Sequence, residues 1–151
     1  MSTTPSIWTL SVIMFLSGIG IPILATWNAA LGNQLGSPVA ATFVLFAVGL
    51  VISSVLLLFV GAPPAAAFTM ERPYAYFAAA FMLFYALSVT WAGPKMGIGN
   101  AVFLVLLGQI FAAALIDHFG LWGAVKSTLT PRRMAGIVVM AFGIYLARKP
   151  V

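Results

Sequence analysis

Long apolar runs separated by short polar stretches dominate the chain, and their lengths predict membrane-spanning helices. A helix needs about 20 apolar residues to cross the hydrocarbon core of a bilayer. The predicted spans cover residues 7–31, 39–60, 74–93, 98–118 and 132–147. This pattern predicts an all-α membrane protein with five transmembrane helices, arranged as a single transmembrane domain over residues 1–151.

Polar side chains interrupt the fourth apolar run at two depths. Gln109 lies near the middle of the run, and Asp117 lies near its end, a little over two turns later. Polar groups at such depths are costly in lipid, so they face other helices or a water-filled cavity. We therefore expect the other spans to pack around these two groups or to form a water-filled cavity beside them.

The first and third spans carry the other candidate site residues. Pro22 lies near the centre of the first span and predicts a kink, because proline removes a backbone donor. Broken helices near the midplane hold the binding sites of many transporters, although a kink that serves only packing is the alternative. Asn28 follows one and a half turns later. In the third span Tyr85 and Ser88 share a face, and a buried phenol needs a hydrogen-bond partner.

Asp117 sits at the C-terminal end of its helix, where the helix dipole disfavours a negative charge. That position predicts a basic partner, and His118, Lys126, Arg132 and Arg133 are the candidates. Asp117 is also the carboxylate predicted to couple transport to protons, because Glu71 falls in a loop. The alternative is an ordinary interfacial acid held by a neighbouring base.

Composition excludes several classes of protein. The chain has 151 residues, of which 63% are hydrophobic and 6% charged, whereas soluble domains carry about 25% charged residues. The net charge of +5 comes from basic residues at the ends of apolar runs, which favours interfacial anchoring over nucleic-acid binding. One histidine, two carboxylates and no cysteine offer neither a catalytic constellation nor a metal-ligand cluster, so no enzyme, metal or cofactor is expected.

The basic residues do not fix an orientation in the membrane. One side would receive Arg72, Lys126, Arg132 and Arg133, and the other Lys95, Arg148 and Lys149. Orientation follows the difference in Lys and Arg between the two sides, and four against three is close to no difference. Either one weakly preferred orientation prevails, or the chain inserts in both. On the second alternative we predict dual topology and an antiparallel dimer. Gly136 and Gly143 share a face of the fifth span at a spacing typical of helix association, and we predict that they lie in the dimer interface.

Two stretches of the sequence resemble the YdcZ-like family within the drug/metabolite transporter superfamily. One is GIPILATWNAALGNQLGSPVAATFVLFAVGL in the first third, and the other is GQIFAAALIDHFGLWG, followed by RRMAGIVVMAFGIYLA. The resemblance implies a multi-pass protein of a bacterial-type inner membrane, with half of a ten-helix inverted-repeat fold. It also implies a homodimer or a pair with a sibling five-span chain. The positions that match the family pattern are Asn28, Leu31, Gly32, Pro38, Gly49, Gly108, Gln109, Asp117, Gly120, Gly123, Gly136 and Gly143.

The sequence departs at two points from the pattern of the families that it resembles. Small multidrug exporters of the superfamily couple protons through a glutamate in the first span, and this chain has no acid there. Many members of the YdcZ-like family that this chain resembles have a glutamine one turn before Asn28, where this chain has Leu24.

Two functions fit the pattern. The first is a secondary transporter of a small organic solute, either an amphipathic cation or a neutral metabolite, because the candidate groups are mostly uncharged. An aromatic face attracts a desolvated cation by about 2 kcal/mol. The alternative is a non-transporting assembly or scaffold protein, in which Gln109 only fastens helices. The predicted solute-binding residues are Asn28, Tyr85, Ser88, Trp91 and Gln109.

Overall fold

A computed structural model describes residues 5–148, and these residues form helices and connections without any strand. Lys149, which entered the charge count, lies outside the described residues. Five α-helices follow the order of the five predicted spans. They are α1 (Ile7–Leu35), α2 (Pro38–Val60), α3 (Ala78–Met96), α4 (Ile98–Phe119) and α5 (Pro131–Ala147).

Helix α1 is longer than its predicted span. It begins after Ser6, whose hydroxyl accepts the backbone N–H of Thr9 at 3.2 Å, as an N-cap does. It ends at Leu35 because Gly36 adopts a left-handed conformation with φ of +64°, which glycine accepts without steric cost. The helix therefore continues four residues beyond the end expected at Leu31.

A two-residue connection turns the chain from α1 into α2, and these two helices pack against each other. The side chain of Ser37 accepts the N–H of Ala40 at 3.2 Å, and Pro38 occupies the first helical position. Proline is favoured there because its missing N–H has no partner in the first turn. Helix α2 therefore begins within one residue of the predicted position.

Helix α3 is shifted along the sequence relative to its predicted span. A short 3-10 helix, Pro73–Phe77, precedes it, so the aromatic residues at the expected start lie outside the α-helix. At the other end Pro94 and Lys95, which the sequence suggested as a connection, are the last helical turn. Gly97 alone separates α3 from α4, with φ of +85°.

The chain divides into two compact units, one ending at Lys95 and the other beginning at Met96. Within the second unit, α4 ends at Gly120, which adopts φ of +63°. A 3-10 helix, Leu121–Gly123, follows. Helix α5 begins after Thr130, whose hydroxyl accepts the N–H of Arg133 at 3.2 Å. Helices α4 and α5 pack against each other within this unit.

The buried apolar residues are mostly small, and the large ones are mostly exposed. Close packing of helices in lipid depends on small side chains, because lipid tails are as apolar as leucine. At the end of α2, Leu58, Phe59 and Val60 are all highly exposed, as expected of residues that face lipid. The buried alanines of the described residues are Ala25, Ala29, Ala41, Ala86, Ala101 and Ala114.

These features confirm the predicted class, an all-α membrane protein. Among the described residues, four helices are long and apolar enough to cross a membrane, counting α3 together with its preceding 3-10 helix. Helix α5 has 17 residues, about 25 Å of helix, which is the lower limit for a span.

Candidate functional site

A buried hydrogen bond between side chains joins α1 to α3 inside the first unit. The Asn28 side-chain N–H donates to the hydroxyl oxygen of Thr90, with 2.6 Å between Nδ2 and Oγ1. The two residues are only 5% and 4% exposed. A buried amide without a partner would cost several kcal/mol in a membrane. This bond therefore stabilises one particular register between two helices that are 62 residues apart in sequence.

Gly32 lies one turn after Asn28, at a position with no space for a larger side chain. A Cβ atom added there would lie 2.9 Å from Cγ2 of Thr90, 3.6 Å from Cα of Pro38 and 3.8 Å from Cβ of Ala41. Ala41 is fully buried. One face of α1 thus contacts both α2 and α3, and glycine is what allows the approach. We call the cluster of Asn28, Gly32, Ala41 and Thr90 the polar junction.

Two further hydroxyls in the first unit are buried without a hydrogen bond from any described residue. They are Oγ1 of Thr42 and the phenol oxygen of Tyr85. Ser88, on the same face as Tyr85, is half-buried. Native proteins satisfy nearly all buried polar atoms. Such atoms are therefore candidates for contact with water or with a polar solute.

Beside the polar junction, α1 and α2 line an open cavity of about 410 Å³. Among its nine lining residues Asn28 carries the sole amide side chain, and the others are apolar or glycine. Binding pockets are commonly apolar with a few polar groups that fix orientation. The lining residues are Gly20, Ile23, Leu24, Trp27, Asn28, Leu31, Val44, Leu45 and Val48.

Leu24 and Leu45 also line a second cavity of about 390 Å³, which extends toward Ser53 and Met82. These two leucines therefore lie between two neighbouring apolar spaces. Leu24 occupies the position where the family resemblance led us to expect a glutamine. The wall of the cavity is consequently more apolar here than that pattern implies.

Trp91, a predicted solute-binding residue, already contacts a cation of its own chain. Nζ of Lys95 lies 3.7 Å from the centre of the Trp91 ring, within the range of a cation–π contact. Both residues are exposed. A cationic solute that uses this ring would have to displace the ammonium group of Lys95.

Gln109 lies in the second unit, and its surroundings differ from those of Asn28. The residue is exposed, and no described residue forms a hydrogen bond with its side chain. Gly108, Ala112 and Ala113 beside it are exposed as well. Within the second unit, the amide is therefore not placed inward as expected.

Asp117 is held by a base, and Arg133 is the base that holds it. Nη2 of Arg133 lies 2.6 Å from Oδ2 of Asp117, with the side chains 34% and 35% exposed. The connection between α4 and α5 adds two contacts. The N–H of Ser127 donates to the carbonyl of Asp117 at 2.8 Å, and that of Leu129 donates to Nδ1 of His118 at 3.1 Å. These bonds close the second unit at one end of its two helices.

The remaining predicted residues take simple positions. Pro22 lies within α1, which is continuous from Ile7 to Leu35, and Thr26 donates its hydroxyl to the Pro22 carbonyl at 2.8 Å. Gly136 and Gly143 are exposed on α5, and a Cβ atom at either would meet nothing within 4 Å. The kink and the interface remain predictions.

Sequence reasoning missed Thr90, although a signal for it exists. Ala86, Thr90 and Gly93 recur at helical spacing in α3, and all three are buried. A stripe of small residues marks a face where another helix approaches closely. The hydroxyl on that stripe was the natural partner for a buried amide elsewhere in the bundle.

The helices and the buried polar junction define a multi-pass membrane protein. A family described as "Putative inner membrane exporter, YdcZ" matches residues 9–146, and the chain belongs to this family. The resemblance seen in the sequence motifs is thereby confirmed. The family assignment supports a multi-pass inner-membrane transporter rather than an enzyme. No curated protein and no solved structure matches the chain.

Proposed function

We propose that the protein is a secondary transporter of a small organic solute, either an amphipathic cation or a neutral metabolite, and that it works as an antiparallel dimer. The observation that carries this proposal is the buried Asn28, which bonds Thr90 and also lines the apolar cavity between α1 and α2. A single amide in an otherwise apolar wall suits a solute with one polar group and a large apolar surface.

The chemistry around the site favours a solute without negative charge. Tyr85, Ser88 and Asn28 offer neutral hydrogen-bonding groups, and Trp91 offers an aromatic face that holds the ammonium of Lys95. An aromatic ring attracts cations through its quadrupole. A polyanion would find no complementary array of basic side chains among these residues.

The dimer is proposed on three grounds. The near-equal count of basic residues on the two sides permits both orientations, and two inverted copies resemble the inverted repeats of larger transporters. Gly136 and Gly143 leave open space on α5, so another helix can approach there. The second copy is the same chain or a sibling five-span chain.

The transport proposal is tested with the purified protein in liposomes. Uptake of a hydrophobic cation, tetraphenylphosphonium, is measured under an imposed proton gradient. Asn28→Leu removes the amide and should reduce uptake at least tenfold. Asn33→Leu, an exposed asparagine on the same helix, is the matched control and should transport normally. Equal uptake by both variants would contradict the assignment of Asn28.

Proton coupling through Asp117 needs its own test. Asp117→Asn should abolish uptake driven by the pH gradient while binding of the same cation persists. Glu71→Gln, in the connection before α3, changes the other carboxylate of the chain and should leave coupling intact. Unaltered pH dependence in Asp117→Asn would assign that residue a purely structural role in its contact with Arg133.

The exposed amide of Gln109 favours a second candidate function, that of a non-transporting assembly protein. In that case Gln109 fastens helices of different chains, and the cavity beside Asn28 is filled by lipid. Gln109→Ala tests which role this residue has. Loss of assembly indicates a contact between chains, whereas loss of uptake with the dimer intact indicates a solute-binding role. Absence of cation uptake by the unsubstituted protein would favour the assembly protein over the transporter.

A further inference from the structure

We propose that α4 is the two-fold element of the antiparallel dimer and that Gln109 of one copy hydrogen-bonds Gln109 of the second copy at the membrane midplane. This inference rests on the proposed dimer and assigns Gln109 to the contact between copies. It begins from the observation that the amide is exposed within the second unit, on a helix that is long and apolar enough to cross the membrane. A polar group exposed at that depth needs a partner.

The position of Gln109 along α4 supports pairing with itself. The helix runs from Ile98 to Phe119, so its midpoint falls between Gly108 and Gln109. A two-fold axis in the membrane plane that passes by Gln109 superposes two antiparallel copies at equal depth. A glutamine side chain is both donor and acceptor, so two of them can satisfy each other across such an axis.

The side-chain sizes on the same face favour the antiparallel arrangement. Among the residues that share a face of α4 with Gln109, those on its N-terminal side are large and those on its C-terminal side are small. The large ones are Val105 and Leu106, and the small ones are Ala112 and Ala113. Leu106, Ala112 and Ala113 are exposed, and Val105 is half-buried. We call this set, with Gln109, the α4 face.

A two-fold axis through Gln109 places each residue opposite the residue of the second copy that lies equally far from position 109 on the other side. The numbers of two such residues add to 218. Leu106 then lies opposite Ala112, and Val105 lies opposite Ala113, so each bulky side chain meets a small one. In a parallel dimer Leu106 would meet its own copy, and Ala112 would leave a gap facing its own copy. Interdigitation of large with small residues is how helix interfaces reach native packing density. An isologous contact of this kind is self-complementary by symmetry.

Cross-linking tests the register directly, because the chain contains no cysteine. Two differently tagged full-length copies, one with Leu106→Cys and one with Ala112→Cys, are co-expressed, and disulfide-linked pairs are quantified in the membrane. The mixed pair should cross-link at least tenfold more than either variant with itself. Like positions would lie about 9 Å apart along the axis, too far for a disulfide.

A matched control uses Phe111→Cys in place of Ala112→Cys. Phe111 is exposed at nearly the same depth but lies about 100° around the helix. It should cross-link to Leu106→Cys no better than background. Self-linked L106C and A112C would show a parallel dimer and overturn the proposal, as would equal yields with F111C.

A second measurement keeps the proposal testable if cysteine variants express poorly. Gln109→Leu should raise the dissociation constant of the dimer in bicelles about three- to thirty-fold, the range for an interhelical hydrogen bond in a membrane. Phe111→Leu should leave it unchanged. An unchanged dissociation constant for Gln109→Leu would overturn the pairing of the two glutamines. A dimer that shows the predicted cross-link but takes up no cation would refute the transporter function and leave the pairing standing.

Discussion

Two amide side chains in apolar helices have opposite surroundings in this protein. Asn28 is buried and donates to Thr90 within its own unit. Gln109 is exposed at the centre of α4, and no described residue bonds its side chain. An amide exposed to hydrocarbon costs several kcal/mol. Among the described residues Asn28 has a hydrogen-bond partner, whereas Gln109 has none.

The difference indicates that the two amides have different roles, Asn28 in the fold of one chain and Gln109 in the association of chains. A buried, paired amide fixes how α1 and α3 fit together, so changes there should alter the stability of the chain. An exposed amide contributes little to the fold of a single copy, so changes there should alter association. Stability and association should therefore respond to different substitutions.

The largest effect on stability is expected from Gly32→Ala. The new Cβ atom would lie 2.9 Å from Cγ2 of Thr90, and overpacking of this kind costs about 1–3 kcal/mol. Gly20→Ala, in the same helix with nothing within 4 Å, gains the same helix propensity without the clash. Reversible unfolding in mixed micelles compares the two. Equal free energies of unfolding would mean that the polar junction is looser than its distances indicate.

The hydrogen bond between Asn28 and Thr90 should give the next largest effect. A double-mutant cycle of Asn28→Ala and Thr90→Val, read by the same unfolding measurement, should yield a coupling energy of about 0.6–2 kcal/mol. Thr90→Val keeps the shape of the side chain and removes the hydroxyl. Additive effects of the two substitutions would exclude a direct interaction.

How far the sequence predicts this architecture depends on whether the determinants are local. The helices are predicted by the lengths of the apolar runs. The first turn of α2 is set by Ser37 and Pro38, which act on residues close to them in sequence. The end of α1 was placed too early, since Gly32, Asn33 and Gln34 look like a loop but continue the helix to Leu35. Only the left-handed Gly36 ends it.

The candidate site was predicted less completely than the fold. Asn28 was identified from its polarity, but Thr90 was not, because their contact spans 62 residues and depends on how α1 and α3 pack. Arg133 was one of four bases proposed for Asp117. Spacing alone could not select it, since the turn after α4 decides which base returns to the carboxylate.

The pair of Asp117 and Arg133 should contribute less than the buried bond. Both side chains are about one-third exposed, and partly exposed ion pairs contribute about 0.2–1 kcal/mol. Asp117→Asn should therefore lower the free energy of unfolding modestly, and added salt should shrink the difference between variant and parent. Arg132→Gln, at the neighbouring exposed base, is the control. A loss that is large and insensitive to salt would contradict this ranking.

The smallest effect on stability is expected at Gln109, where the comparison with Asn28 is most direct. Gln109→Leu replaces an amide that is exposed in the folded chain and also in an unfolded chain whose helices stay in the membrane, so the free energy of unfolding should change by less than about 0.5 kcal/mol. The measurement is made at high dilution in bicelles, where the chain is monomeric. Asn28→Leu under the same conditions should cost more, because it leaves the Thr90 hydroxyl buried without its donor. Equal losses in the two variants would show that Gln109 is satisfied within its own chain, which removes the physical reason for a second copy at that face.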